Sequence, residues 1–164
     1  MNLYLFRHGQ KNAVPFADPD LTAQGFAQSK KLAETIARGE LLRGTVFLAS
    51  PRLRAQNTLK LAAELCAAPV QVVSDLDQRE NFETGETFRA RVQQFLLSIE
   101  NKFSQKDVVY VCTHHDWIEE SLSAIPADVD LLDVKYWSWN TVQFMHFEIN
   151  DGLWQLRRFD RISL

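Results

Sequence analysis

Side chains able to do chemistry are bunched at three places in this 164-residue chain: Arg7-His8-Gly9-Gln10, Arg52 with Arg54, and Thr113-His114-His115-Asp116. A guanidinium presents a planar fork of donors matched to the oxygens of a phosphate or carboxylate. An imidazole beside it can serve as nucleophile, base or metal ligand. Arg52 and Arg54 follow Ser50-Pro51, where serine as cap and proline at the first position make a good helix start. A cation there opposes the helix dipole, and a bound anion held by the helix amides and the guanidinium together would account for it. If the three places converge, two arginines can hold the non-bridging oxygens of a phosphoryl group while two histidines act as nucleophile and proton donor. The arginines' charge would keep His8 neutral near pH 7, and an arriving phosphate would favour a protonated His114.

The elements that must position these residues are legible as short apolar runs. Asn2–Phe6 leads into Arg7-His8, Thr45–Ala49 stops at Ser50-Pro51, and Val108–Cys112 leads into Thr113-His114. Such runs, bounded by polar residues and glycine, suit buried strands. In open α/β sheets ligands bind beyond the strands' C-terminal edge, near a switch in strand order. Gln10 to Asp20 reads as a loop forming one wall of a pocket there. Thr22 caps a helix carrying Phe26, Leu32, Ala33 and Ile36 on its apolar face and ending at Gly39. The helix after Ser50-Pro51 runs through Leu65 and turns Leu53, Ala62 and Leu65 to the core. Val70–Val73 reads as a short strand and Asp75–Glu83 as an acidic loop. Gly85-Glu86-Thr87 opens a helix with Phe88, Val92, Phe95, Leu96, Ile99 and Phe103 at helical spacing, which is core packing. Asp116 and Glu119 resemble a capping pair for a helix over Trp117–Ala124. Asn150-Asp151-Gly152, between Thr141–Ile149 and Leu153–Phe159, signals a hairpin in which His146 is structural. The alternation predicts one domain over residues 1–164, a three-layer α/β/α sandwich with a mainly parallel sheet and a C-terminal antiparallel hairpin.

Bulk properties narrow the partners. A 46% hydrophobic content supports a substantial core, and a net charge of -3 argues against general attraction to nucleic acid or anionic membrane. Any anion site should be a small positive island on a mildly acidic protein. Cys66 and Cys112 are far apart with no Cys-x-x-Cys, so free thiols are expected. The start of the chain has no basic segment leading into a long apolar stretch and no run reaches transmembrane length, so a soluble cytoplasmic protein is expected. Gly-x-x-x-x-Gly-Lys-Ser/Thr is absent, which removes a P-loop reading.

Taken in order, Leu5-Phe6-Arg7-His8-Gly9, Leu21-Thr22 with Gly25 and Gln28, Ser50-Pro51 with Arg54 and Ala55, and Val111-Cys112-Thr113-His114 resemble the histidine phosphatase superfamily, the phosphoglycerate mutase-like proteins. Gly85-Glu86-Thr87 with Arg91 resembles the family's usual helix start, and Asn140–Phe159 its closing hairpin. The resemblance spans nearly the whole chain. It implies a metal-independent phosphatase without cofactor, in which His8 is the nucleophile that becomes phosphorylated, Arg7 and Arg54 clamp the phosphate and His114 is the second histidine. Gln10 and His115 would border the substrate, a phosphorylated small molecule or a phosphoprotein.

Some positions depart from the family pattern. Val14 stands where many members have asparagine, Lys11 where serine or threonine is common, and His115 where a small glycine is frequent. The family's proton donor is often a glutamate in the loop after the third strand; that place falls on Gln78, with Glu80 the nearest candidate acid and Glu83 beyond it. Without an acid, alcohol leaving groups lose a factor of about 10² to 10⁴, whereas phosphohistidine suffers less. The short chain leaves no room for a sizeable lid, which resembles the small bacterial phosphohistidine phosphatases. Two rival readings remain: a phospho-ligand binding module of the same fold, and a metal-dependent phosphohydrolase using His114, His115 and Asp116.

Overall fold

In the computed structural model, which describes residues 1–164, the first apolar run forms strand β1 (Asn2–Arg7). Helix α1 (Ala23–Ala37), β2 (Val46–Ala49), α2 (Leu53–Leu65), β3 (Val70–Val72), α3 (Gly85–Lys102), β4 (Val108–Thr113), α4 (His115–Leu122), β5 (Gln143–Asn150) and β6 (Leu153–Arg161) follow. The six strands form one sheet in the order β3-β2-β4-β1-β5-β6. β3, β2, β4 and β1 are mutually parallel, while β5 and β6 close the sheet antiparallel. The chain therefore leaves β1, builds β2 and β3 at a distance, and returns to lay β4 in the gap. That insertion is the switch in strand order, and it sets the C-terminal ends of β2, β4 and β1 side by side.

Residues alternating along the strands divide between two cores. Leu3 and Leu5 of β1, Val109 and Val111 of β4 and Met145 of β5 pack on α3 and α4 with Phe88, Val92, Phe95, Ile99 and Trp117. Tyr4, Phe6, Phe47, Tyr110 and Phe144 point the other way, onto α1 and α2. Tyr4 stacks on Tyr110 with ring centroids 4.7 Å apart, and Phe6 on Phe144 at 4.9 Å. These two cores with the sheet between them are the α/β/α sandwich. The turn between β5 and β6 holds Asp151 and Gly152 at φ 49° and 80°, the left-handed pair that a two-residue hairpin turn demands. Cys66 and Cys112 are free. No helix is long and apolar enough to cross a membrane.

Several local expectations are corrected. Phe26 is 47% exposed, because the buried stripe of α1 runs through Gly25, Gln28, Ser29, Leu32, Thr35 and Ile36. In α2 the buried stripe is Arg54, Ala55, Thr58, Leu59, Ala62 and Ala63. At 100° per residue that phase turns Leu53 and Leu65 outward, and it carries an arginine into the interior. Nor does Ser50 cap this helix. Arg52 is the N-cap residue, and the free amide of Leu53 is met by the Asp18 carboxylate, 3.2 Å away in the loop after β1. β3 ends at Val72 rather than Val73. Asp116 lies inside the first turn of α4, with Oδ1 accepting from its neighbour Trp117 N and Oδ2 from Arg79 N, so it anchors the acidic loop instead of pairing with Glu119 as a cap.

Candidate active site

The three adjacent strand ends deliver one residue each. His8 follows β1, Ser50 follows β2 and His114 follows β4, exposed by 5%, 0% and 3% respectively. The two imidazoles lie 5.2 Å apart between ring centroids. From the side, α2 contributes Arg54, 3% exposed, whose Nη2 lies 3.3 Å from His114 Nδ1 and donates to Gln78 Oε1 at 2.6 Å. Arg7, the last residue of β1, anchors Nη1 on the Trp139 carbonyl. The Nε atoms of both Arg7 and Arg54 are buried with no hydrogen-bond partner. An orphaned donor on a buried cation is costly, and an anion brought to these guanidiniums could satisfy it.

The backbone after His8 is clamped by both helices of one face. Thr58 of α2 accepts from Gly9 N at 2.9 Å, and Gln28 of α1 accepts from Gln10 N at 2.8 Å. Thr22 N donates to the Gln10 carbonyl at 2.9 Å. Gly25 makes the approach possible, since a Cβ there would stand 2.1 Å from the Gln10 carbonyl oxygen. The Thr22, Gly25 and Gln28 motif thus has a mechanical role: it fixes the strand-to-loop exit that aims His8.

His8 is set as a neutral acceptor. Its Nδ1 lies 2.7 Å from the Gly9 carbonyl, which can only accept, so Nδ1 carries the proton and Nε2 the lone pair. Nε2 has no partner in the protein and is not among the buried orphans, so it opens to solvent. Burial, followed by the charges of Arg54, Arg7 and Lys11, holds the His8 pKa down to about 3, against the opposing pull of the Gly9 carbonyl. The expected direction holds, but desolvation leads the arginines as its cause. His114 is likewise held well below its ordinary value by burial, then by His8, Arg54, Arg52 and Arg7. Burial also lowers the pKa of both site arginines. A doubly charged anion would repay that unmet desolvation.

The remaining candidates are placed differently. Arg52 does not wait for an anion: its Nε donates to Asp77 Oδ1 at 2.9 Å and its Nη2 to Glu80 Oε1. Glu80 is therefore committed to Arg52, while Glu83 is committed to Arg91 at 2.6 Å. It is Gln78, an amide, that stands on Arg54. Gln10 turns its Oε1 to the Thr22 hydroxyl at 2.8 Å on an exposed edge, and His115 lies 3.6 Å from Glu119 on the exposed side of α4. No three His, Cys, Asp or Glu side chains are grouped to hold a metal ion, so the His114, His115 and Asp116 reading finds no ligand set. Sequence reasoning did not single out Asp18, Asp77 or Thr58 for the site. Thr58 sits one helical turn beyond Arg54, a spacing that could have pointed to it.

The sequence profile of the histidine phosphatase superfamily (branch 1) matches residues 3–82 and 75–161. The chain belongs to that superfamily. Solved histidine phosphatase folds superpose over nearly its full length. The α-ribazole phosphatase from Shigella flexneri does so with a TM-score of 0.79 at 17% identity, covering 100% of this chain and 98% of the other. The phosphoserine phosphatase from Entamoeba histolytica, in complex with 3-phosphoglyceric acid, gives 0.73 at 16% identity over 97% and 96%. The protein histidine phosphatase SixA, complexed with tungstate, gives 0.68 at 18% identity over 99% and 97%. No curated protein matches the sequence. Family membership makes this histidine phosphatase homologue a phosphatase.

Proposed function

We propose that the protein hydrolyses phosphomonoesters or protein phosphohistidine through a phosphoryl-enzyme intermediate on His8. The observation that carries this reading is the fixed tautomer of His8, with Nδ1–H on the Gly9 carbonyl and Nε2 bare beside two arginines whose Nε atoms lack acceptors. Arg7 and Arg54 hold the phosphoryl oxygens. The Nε2 lone pair attacks phosphorus as the bond to the leaving group breaks with its electron pair, and the leaving atom takes a proton from solvent. Water then attacks the phosphohistidine, releasing inorganic phosphate and restoring Nε2. The guanidinium charges and the neutral nucleophile supply what this needs without a metal ion.

Substrates with good leaving groups fit the site best. The amide of Gln78 cannot give a proton as a carboxylic acid would, and Glu80 is held by Arg52. Protein phosphohistidine, whose leaving group is an imidazole, suffers least. Two further side chains favour a protein substrate. Phe16 and Phe82, 95% and 85% exposed, stand on the two loops that Arg52 joins through the Ala17 carbonyl and Glu80. Exposed aromatics on loops beside a charged pocket suit the protein surface around a phosphorylated side chain.

The test is turnover of a phosphohistidine peptide and of p-nitrophenyl phosphate by wild type and His8→Ala, with a chelator present throughout. Wild type should hydrolyse both and prefer the peptide, and the variant should fall to background on both. Activity that survives the loss of His8, or that the chelator abolishes, would refute the mechanism. Binding of phosphopeptide with no turnover of either substrate would make the protein a binding module.

A further inference from the structure

Beneath His114 lies a chain of polar groups that the phosphoryl chemistry above does not use. His114 Nε2 is 2.7 Å from Ser50 Oγ, and Ser50 Oγ is 3.2 Å from Asp77 Oδ1, which is itself 3.5 Å from Nε2. All three residues are buried, Ser50 and Asp77 at 0% and 9% exposure. Counting protons fixes the direction of every bond. The Asp77 carboxylate only accepts, so the single Ser50 hydroxyl proton goes to it. Ser50 Oγ then accepts from Arg52 N at 3.3 Å and from His114 Nε2–H. The other ring nitrogen, Nδ1, faces Arg54 Nη2, which can only donate, so Nδ1 holds the lone pair.

We infer that Asp77, acting through Ser50, is a positioning residue that locks the tautomer of His114 and stabilises its imidazolium when a phosphoryl group is bound. The catalytic consequence rests on the function proposed above; the tautomer does not. Around the ring stand Arg7 at the end of β1 and His8 just after it, Arg52 and Arg54 at the head of α2, Asp77 and Gln78 from the loop after β3, and Asp116 on its own helix. Every cation in that set disfavours a charged His114, and Asp77 is the carboxylate within 4 Å of the ring. When a phosphate draws in the guanidiniums, Nδ1 can take a proton from solvent and donate it as a hydrogen bond to a phosphoryl oxygen. The new positive charge is then met from behind by Nε2–H to Ser50 Oγ and Ser50 O–H to the Asp77 carboxylate. Arg52 holds that carboxylate in place at 2.9 Å, and Gln78 N donates to it at 2.8 Å. A carboxylate lies one position before Gln78, so the loop keeps an acid next to the site, but behind the histidine and not beside the leaving group.

The test needs no turnover for its first arm. Long-range ¹H–¹⁵N spectra of the free protein at neutral pH should show His114 protonated at Nε2; protonation at Nδ1 would overturn the inference. In the second arm, His114 is titrated in the presence of saturating inorganic phosphate, for wild type, Asp77→Asn and Ser50→Ala. Its apparent pKa should fall by about one pH unit or more in Asp77→Asn and by less in Ser50→Ala. The alkaline limb of kcat should move to lower pH by the same amount, with KM changed little. An unmoved titration in a folded Asp77→Asn protein would sink the proposal. Should that variant fail to fold, Ser50→Ala, which leaves the Arg52 to Asp77 ion pair intact, decides the question alone. Absent turnover in wild type would count against the proposed function, whereas an unshifted His114 counts against the Asp77 inference.

Discussion

At the end of the sheet where β1, β2 and β4 finish, His8, Ser50, Arg54 and His114 are packed almost out of reach of water, and two guanidinium Nε atoms have no acceptor. At the opposite end, beside the turn joining β5 and β6, lies a cavity of about 520 Å³ lined by Leu96, Leu97, Glu100, Ala124, Pro126 and Trp154 among others. Its one charged group is paired: Glu100 accepts from Trp154 Nε1 at 3.2 Å and from Gly152 N at 3.0 Å. That cavity lies at the end where no buried side chain is left unsatisfied, whereas the proposed chemistry lies where two buried guanidinium donors are. Uncompensated burial is the guide to the proposed site, because a buried donor without an acceptor costs free energy that a bound anion could repay.

The contrast can be broken from either end. Arg54→Met should lower turnover of every substrate by about 10²- to 10³-fold, the cost of losing a donor aimed at transition-state charge. Its effect on stability should be under about 1 kcal/mol, because the lost cation was poorly compensated and Asp18, about a third exposed, can turn to water. Leu96→Ala should do the reverse. Leu96 is 7% exposed and already borders a void, so its truncation should cost about 2 kcal/mol, the low end for such a change, with kcat/KM unaltered. Urea unfolding and steady-state kinetics on the same two preparations would read both. If Arg54→Met destabilised the fold as much as the core truncation does, Arg54 would be a structural residue and the distinction between the two ends would collapse.

What the sequence exposed of this arrangement is the strand ends. Runs such as Leu3–Phe6 and Val108–Cys112 have no alternative use, and the residues that follow them must come out at one edge. The phase of α2 was not legible in the same way. Leu53 and Leu65 outrank Arg54 as core residues on any hydrophobic scale, but the stripe of Ala55, Leu59, Ala62 and Ala63 packs on the sheet and turns the helix so that Arg54 faces in. Ser50 reads as a helix cap because the local signal for capping is strong. Its side-chain partners, His114 and Asp77, are 64 and 27 residues away and leave no trace in local spacing. The acidic loop gave the least. Which of Asp77, Glu80 and Glu83 meets which of Arg52 and Arg91 is decided by tertiary packing, so the anion expected beside Arg52 turned out to be the protein's own carboxylates.

His146 sharpens the contrast from the middle of the sheet, by the smallest effect. It stacks on Tyr4 at 4.2 Å and its Nε2 lies 2.9 Å from Asn2 Oδ1. Burial holds its pKa down to about 4, as it holds His8 down, yet no guanidinium is left without an acceptor beside it. A depressed histidine pKa is therefore not by itself a sign of catalysis. Above about pH 6.5 both folded and unfolded chains carry a neutral imidazole, and stability is whole. As pH falls below that value the unfolded chain takes up a proton first, so stability drops until the folded protein also protonates, near pH 4 for His146 and near pH 3 for His8. One such group contributes at most about 1.4 kcal/mol per pH unit within its window. His146→Phe keeps an aromatic ring on Tyr4 and removes the titration, so the fall in unfolding free energy between pH 6 and pH 4 should become shallower by up to that amount, while turnover at neutral pH is untouched. An unchanged slope would mean that His146 titrates as freely in the folded protein as in the unfolded chain. Burial alone would then not explain the low pKa values at the site, and the arginines would have to be given the larger share.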